Sequence, residues 1–274
     1  MRLLGNPVAL MHVLAVLLLS MLAAFSAYTL RAVPVALLSA VAASAIVEML
    51  IRKYYLRHRF RIPFSGIITG LIIGSVAPVN APVTLAIVAS AAAIASKFLI
   101  RYKGTNIFNP ASLGLLMALP LFGMGSEWWA AGGYNLHGIA ISLAPILIML
   151  AYEARRMPAA LSFVAASLLL AAAAAGLQAL SLYGVSALAF SVNYYFAFVM
   201  LIEPKTSPHG TYAQLAYGSA LAMLYTALAY SRFTYPFLAA LLLGNIAYAI
   251  YRYLSRRGAA VAAENAVAAQ VGAA

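Results

Sequence analysis

The chain has 274 residues, of which 65% are hydrophobic and 8% charged. A soluble domain carries roughly 25% charged residues, so this composition excludes a protein whose whole surface faces water. The net charge of +12 does not mark a nucleic-acid binder, because Lys and Arg stand in short gaps between apolar runs and form no continuous basic face.

In chain order, apolar runs predict spans near 8–29, 33–51, 64–78, 82–100, 108–123, 137–153, 158–181, 185–202, 212–230 and 234–252. Each crossing needs ~20 apolar residues. The first run follows Arg2 and is read as a retained span, being long for a signal peptide and followed at once by a second. With the N-terminus inside, the inner gaps collect fourteen bases, including Arg52, Lys53, Arg57, Arg59, Arg61, Arg155 and Arg156. The outer loops hold Arg31 and Arg232. This asymmetry predicts cytoplasmic N- and C-termini and an even number of spans. Lys97, one turn from an inner span end, is expected to snorkel. Trp128 and Trp129 fall where an interfacial anchor would sit. Residues 258–274, rich in Ala and Val, read as a frayed helix or disorder.

Pro78 and Pro204, Pro82 and Pro208, and Pro110 and Pro236 each stand 126 residues apart. Weak self-similarity of this kind is what inverted-repeat membrane folds leave in sequence. The fold class expected is therefore an all-α polytopic membrane protein with about ten transmembrane helices in two inverted five-helix repeats. Residues 1–126 form the first repeat, 127–257 the second, and 258–274 the tail. The third span is short: its ~14 residues rise about 21 Å against a ~30 Å apolar core. Its repeat mate, the eighth, carries Ser191, Asn193, Tyr194 and Tyr195. Short or polar-interrupted spans at matching positions point to a site at the repeat interface.

Two segments carry the candidate site. Gly104-Thr-Asn-Ile-Phe-Asn-Pro-Ala-Ser-Leu-Gly114 opens the fifth span. Asn109 suits an N-cap and Pro110 the first helical position, which leaves Asn106 and Phe108 unexplained by capping. The Asn109-Pro110-Ala111 triplet has no aquaporin-like partner, since its mate reads Tyr235-Pro236-Phe237. Glu203-Pro-Lys-Thr-Ser-Pro208 ends the eighth span. It reads either as a polar turn set by two prolines or as Glu203, Lys205 and Thr206 facing a polar ligand. Glu48 is placed to pair with Arg52 four residues on, and a proton-relay role is the rarer alternative. His12, His58, His137 and His209 lie in loops or near helix ends and are not read as haem ligands. Cysteine is absent, which excludes thiolate chemistry and Cys-ligated clusters within the chain. No zinc, phosphate-loop or nucleophile–base motif is present.

The first of these segments, with Lys97 upstream, resembles a signature of the NqrB/RnfD family. Phe196-Ala-Phe-Val-Met-Leu-Ile-Glu-Pro-Lys-Thr-Ser-Pro208 resembles the second, usually written with Asp-Pro. These are membrane subunits of sodium-pumping NADH:quinone reductase and of Rnf complexes. The resemblance implies the ten-helix arrangement shared with urea transporters, a flavin, electron passage across the membrane and coupled cation movement. It implies a multi-pass subunit of the plasma membrane, working with redox subunits on the cytoplasmic side, rather than a complete enzyme. Family members carry FMN on a Thr of an S-G-A-T-type motif after the fifth span. Here Gly123 to His137 contains no Thr, so a non-covalent flavin (FMN or riboflavin) or a quinone is expected instead of covalent FMN. Asn106, Phe108, Asn109, Pro110, Glu203, Lys205 and Thr206 are the residues expected around it. The alternatives are a small-solute channel or transporter of urea-transporter-like fold, with Ser191 and Asn193 in its path, and an anchor for soluble redox subunits.

Overall fold

The computed structural model describes residues 35–57, 61–129, 147–177 and 181–272, with individual residues between 12 and 31 and at 145. Arg2, His58, Arg59 and His137 lie outside the described residues, as do half of the first predicted span and part of the sixth. Side chains are not described beyond residue 255.

Helix α1, Val35–Leu50, continues through a π-helical turn at Ile51–Tyr55. Then come α2, Phe64–Val76, and α3, Val83–Leu99. A short hairpin follows, β1 Arg101–Tyr102 paired antiparallel with β2 Thr105–Asn106. Next are α4, Pro110–Leu121, α5, Met157–Ala175, and α6, Leu182–Ser191. A second π turn at Phe196–Met200 precedes α7, Thr211–Tyr230, and α8, Pro236–Gly272. The hairpin was not foreseen in the all-α reading. Its two-residue turn puts both Lys103 (φ 47°) and Gly104 (φ 82°) in the left-handed region, as tight hairpin turns require.

Three described helices are long and apolar enough to cross a membrane: Val35–Tyr55, Met157–Ala175 and Pro236–Ser255. Three more, α2 to α4, are apolar but shorter. Helix α7 has the length, but Gln214 and four tyrosines dilute its hydropathy. The protein is a helical membrane protein. Helix α8 runs without interruption through residues 257 and 258 to Gly272, so the tail continues the last helix.

Packing in a bilayer depends on close backbone approach more than on apolar burial. A Cβ on Gly70 would sit 2.5 Å from the Ala40 carbonyl oxygen, and one on Gly218 would collide with that of Ala159. These glycines let α1 lie on α2 and α5 on α7. Helix α3 packs on both α1 and α4, and α7 likewise packs on both α5 and α8. The Ser112 hydroxyl donates to the Leu238 carbonyl at 3.0 Å, joining the starts of α4 and α8 across 126 residues of sequence.

The two short or interrupted segments end on polar groups. At the end of α2, the Val76 carbonyl accepts from the Glu127 N–H (3.0 Å) and the Trp128 N–H (3.3 Å). The Trp129 indole N–H donates to the Gly74 carbonyl at 2.7 Å, and Glu127 Oε2 accepts from the Val79 N–H at 2.9 Å. Carbonyls left over at a helix end are thereby paired. The tryptophans are therefore not an interfacial anchor. Trp129 is buried, and Trp128 meets Tyr195, Phe196 and Phe237 edge-on. In the second half, α6 stops at Ser191, and Asn193 Oδ1 caps a new turn by accepting from the Phe196 N–H at 2.8 Å.

Candidate functional site: a cavity between the two motif segments

Asn109 has extended backbone and opens α4. Its side-chain oxygen accepts from the Ser112 N–H at 3.0 Å, with Pro110 in the first turn. Local capping thus operates as its sequence predicts. The remaining groups of Asn109 reach across the molecule. Its side-chain amide donates to the Met200 carbonyl (3.2 Å) at the end of the π turn, and its backbone N–H donates to Asn245 Oδ1 (2.8 Å) on α8. The Asn245 amide in turn donates to the Thr206 carbonyl (3.2 Å) and the Tyr217 hydroxyl (2.9 Å). Two buried asparagines therefore hold the 104–114 and 196–208 segments together.

Between those segments lies a cavity of about 420 Å³, within the ~300–1,000 Å³ usual for small-molecule sites. Its apolar wall includes Leu19, Ile68, Ile72, Val199 and Ile202, and its polar part is formed by Ser65, Lys97, Asn106, Asn109, Glu203 and Lys205. Of the seven residues expected at the site, Asn106, Asn109, Pro110, Glu203 and Lys205 line this cavity. Phe108 is half-buried and lies outside its wall. Thr206 is buried behind it, its hydroxyl donating to Glu203 Oε2 at 3.3 Å.

Lys97 belongs to the site and was misread from sequence. It does not snorkel. It is 9% exposed, lies on the cavity wall and donates to both the backbone oxygen and the hydroxyl of Ser65, each at 2.9 Å. Glu48, fully buried, stands 3.6 Å from its Nζ and makes the expected pair with Arg52 at 2.6 Å. Snorkelling assumes that the nearest water is at the helix end. Here a carboxylate and a serine on two neighbouring helices are closer, which spacing along α3 alone cannot reveal.

The Glu203–Pro208 turn is held from outside by Arg156. Its guanidinium donates to the Ser207 hydroxyl (2.9 Å) and the Pro204 carbonyl (3.1 Å), and lies 2.9 Å from His209 Nδ1. Partial burial, followed by the neighbouring Arg156 and Arg252 charges, holds the His209 pKa below its ordinary 6.5. Burial likewise lowers that of Arg156. Ser191 and Asn193, named for a solute path, spend their polar groups locally. The Ser191 hydroxyl donates to the Leu188 carbonyl (2.7 Å), and Asn193 caps the π turn.

The donors Lys97 and Asn106 beside an apolar wall fit a planar molecule with carbonyl groups along one edge, which is the shape of a flavin or quinone head. In Gly123–Trp129 the one hydroxyl-bearing residue is Ser126, whose hydroxyl accepts from the Trp128 indole N–H at 3.2 Å.

Residues 7–135 match the model of the NQR2, RnfD, RnfE family. The matched stretch, just under half of the chain, contains Lys97 and the whole Gly104–Gly114 segment. Comparison with curated proteins found no match.

Proposed function

We propose that the chain is the cofactor-holding membrane subunit of an electron-transport complex of Nqr/Rnf type. In this reading the cavity takes a non-covalent flavin, FMN or riboflavin, or a quinone head. Redox subunits at the cytoplasmic side supply electrons, and cation movement is coupled to their passage. The observation that carries the reading is the meeting of the two motif segments, distant in sequence, around one cavity with an apolar wall and a charged polar end.

The cofactor, when bound, supplies the electron-accepting ring. The chain's own residues do the rest. Leu19, Ile68, Ile72, Val199 and Ile202 exclude water from the ring, and Lys97 offers a proton donor to its carbonyl edge. Glu203 and Lys205 stand where a polar side arm would lie. The Asn109–Asn245 clasp holds the cavity's two walls in register.

The reading also includes ten helices in two inverted repeats with cytoplasmic termini. Its support is the direct bond between Ser112 and Leu238, positions that the 126-residue offset makes equivalent. Residues at a pseudo-twofold axis meet their own mates in this way. The shared neighbour pattern of α3 and α7 supports it too.

The test is the visible absorption spectrum of the purified protein before and after acid denaturation. Flavin or quinone bands released by acid are expected. Flavin retained on the denatured chain would refute non-covalent binding. A colourless protein that binds neither riboflavin nor menadione would refute the cofactor site.

A further inference from the structure

Glu48 lies at the end of α1 with no exposed surface, and its two oxygens have different company. Oε1 is taken by Arg52, at 2.6 Å and 2.8 Å. Oε2 is buried without a hydrogen bond, and Lys97 Nζ stands 3.6 Å from it. Beyond Lys97 the cavity begins. Outside Glu48 stands Arg52, whose side chain is 37% exposed. From solvent inward the order is Arg52, Glu48, Lys97, cavity.

Helix association does not account for this row. The Ser90 hydroxyl already ties α3 to α1 by donating to the Ala40 carbonyl at 3.1 Å, with no charge involved. Ionisable groups buried among membrane helices are costly and mark functional paths by default. The cavity gives this one a destination. A redox ring reduced against this apolar wall gains basic oxygens or nitrogens and needs protons that the wall cannot supply. The charged and titratable groups around Lys97 are Glu48 and Arg52 from α1, Glu203 and Lys205 from the turn after the second π segment, and His12, which shares the cavity wall. Lys205, on the cavity wall, is itself exposed; the α1 pair leads from Lys97 away from the cavity to the part-exposed Arg52.

Resting on the cavity's reading as a redox-cofactor site, we propose that Lys97 gives a proton to the reduced cofactor and regains it from solvent through Glu48. The electrons come from the redox donor subunit alone. One N–H bond of the Lys97 ammonium breaks, one O–H or N–H bond forms on the cofactor, and Lys97 is left a neutral amine. Glu48 takes a proton from water at the Arg52 end, and its carboxyl O–H then passes that proton to the amine. Both residues return to their starting charges, and one proton has moved from solvent to cofactor.

The experiment uses the full chain in detergent, loaded with riboflavin and mixed with reduced methyl viologen, which supplies electrons and no protons. Flavin bleaching and a pH indicator are followed together in weak buffer. Lys97→Arg keeps the charge, but a guanidinium does not deprotonate in proteins. Its flavin-loaded fraction is expected to take up protons at least about tenfold more slowly than wild type. Glu48→Gln, which keeps the side-chain shape, is expected to show the same loss and decides the matter if the arginine variant does not fold. Wild-type uptake rates in a folded, flavin-loaded Glu48→Gln or Lys97→Arg protein would overturn the proton route while leaving the cofactor site standing. Failure of the wild type to bind riboflavin or menadione would overturn the cofactor site, and the route with it.

Discussion

Lys97 and Arg156 are two nearly buried cations, one in each half of the chain, and they are used in opposite ways. Arg156 is 2% exposed and spends its guanidinium on the Ser207 hydroxyl and on carbonyls at Pro204, Ala154 and Arg155. No carboxylate lies within ion-pair distance of it among the described residues. Lys97 spends two hydrogen bonds on one residue, Ser65, faces Glu48, and borders open space. A planar fork with five fixed donors suits tying backbone oxygens together. A single ammonium that can lose its proton suits a site where something is exchanged. Burial of a charge is therefore only the first sign of function; what the charge faces decides it.

The sharpest way to break this contrast is to remove the fork. Arg156→Met leaves the Pro204 carbonyl and Ser207 hydroxyl without their donor, and is expected to cost on the order of 3 kcal/mol, read as a lower midpoint of unfolding in detergent. Arg156→Lys should recover less than half of it, because one ammonium cannot span the same acceptors. An unchanged midpoint in both would show that Arg156 is not a clasp. Next in size is Asn109→Ala, which loses the helix cap and the bond to Met200. About 2 kcal/mol of destabilisation is expected, together with loss of riboflavin binding as the two walls part. Retained binding at full affinity would remove the clasp from the site.

Glu203→Gln probes the cavity with little effect on folding. It should weaken riboflavin binding about fivefold, or ~1 kcal/mol, with unfolding unchanged; equal affinity would take Glu203 out of the site. The smallest effect is a pH dependence at the Arg156 clasp. His209 has a pKa held below 6.5 in the folded protein by partial burial and by Arg156 and Arg252. The unfolded chain then binds more protons than the folded one just below 6.5, so stability rises with pH there. His209 contributes fully above that value and progressively less as pH falls toward its folded pKa. His209→Gln should flatten the slope of the unfolding midpoint below about 6.5; an unaltered slope would assign it to other groups.

Much of this was legible in sequence because it is local. Asn109 and Pro110 announce a helix start, and the structure begins α4 there. Ser191 and Asn193 in an apolar run announce a break, and α6 stops between them. Glu48 and Arg52 share a helix face by spacing, and they pair. The failures concern what lies opposite. Two adjacent tryptophans in a loop read as an interfacial anchor, yet Trp129 is spent on a carbonyl of α2, 55 residues earlier. Lys97 near a helix end reads as a snorkelling side chain, yet its partners come from α1 and α2. Asn245 and Arg156 drew no attention as site residues because each is unremarkable among its sequence neighbours.

By itself the sequence determined that the chain belongs in a membrane, where α4 starts and α6 breaks off, and which two segments carry polar groups that capping does not require. Those properties follow from apolar run length, charge placement and capping chemistry, all read within a few residues. The tertiary structure decided that the two segments meet, through Asn109 and Asn245. It also decided that the lysine of one helix faces the carboxylate of another across a cavity edge. Such pairings depend on the rotation and depth at which neighbouring helices settle. Gly70 and Gly218 permit that close approach, but no spacing along one strand of sequence says which faces will meet.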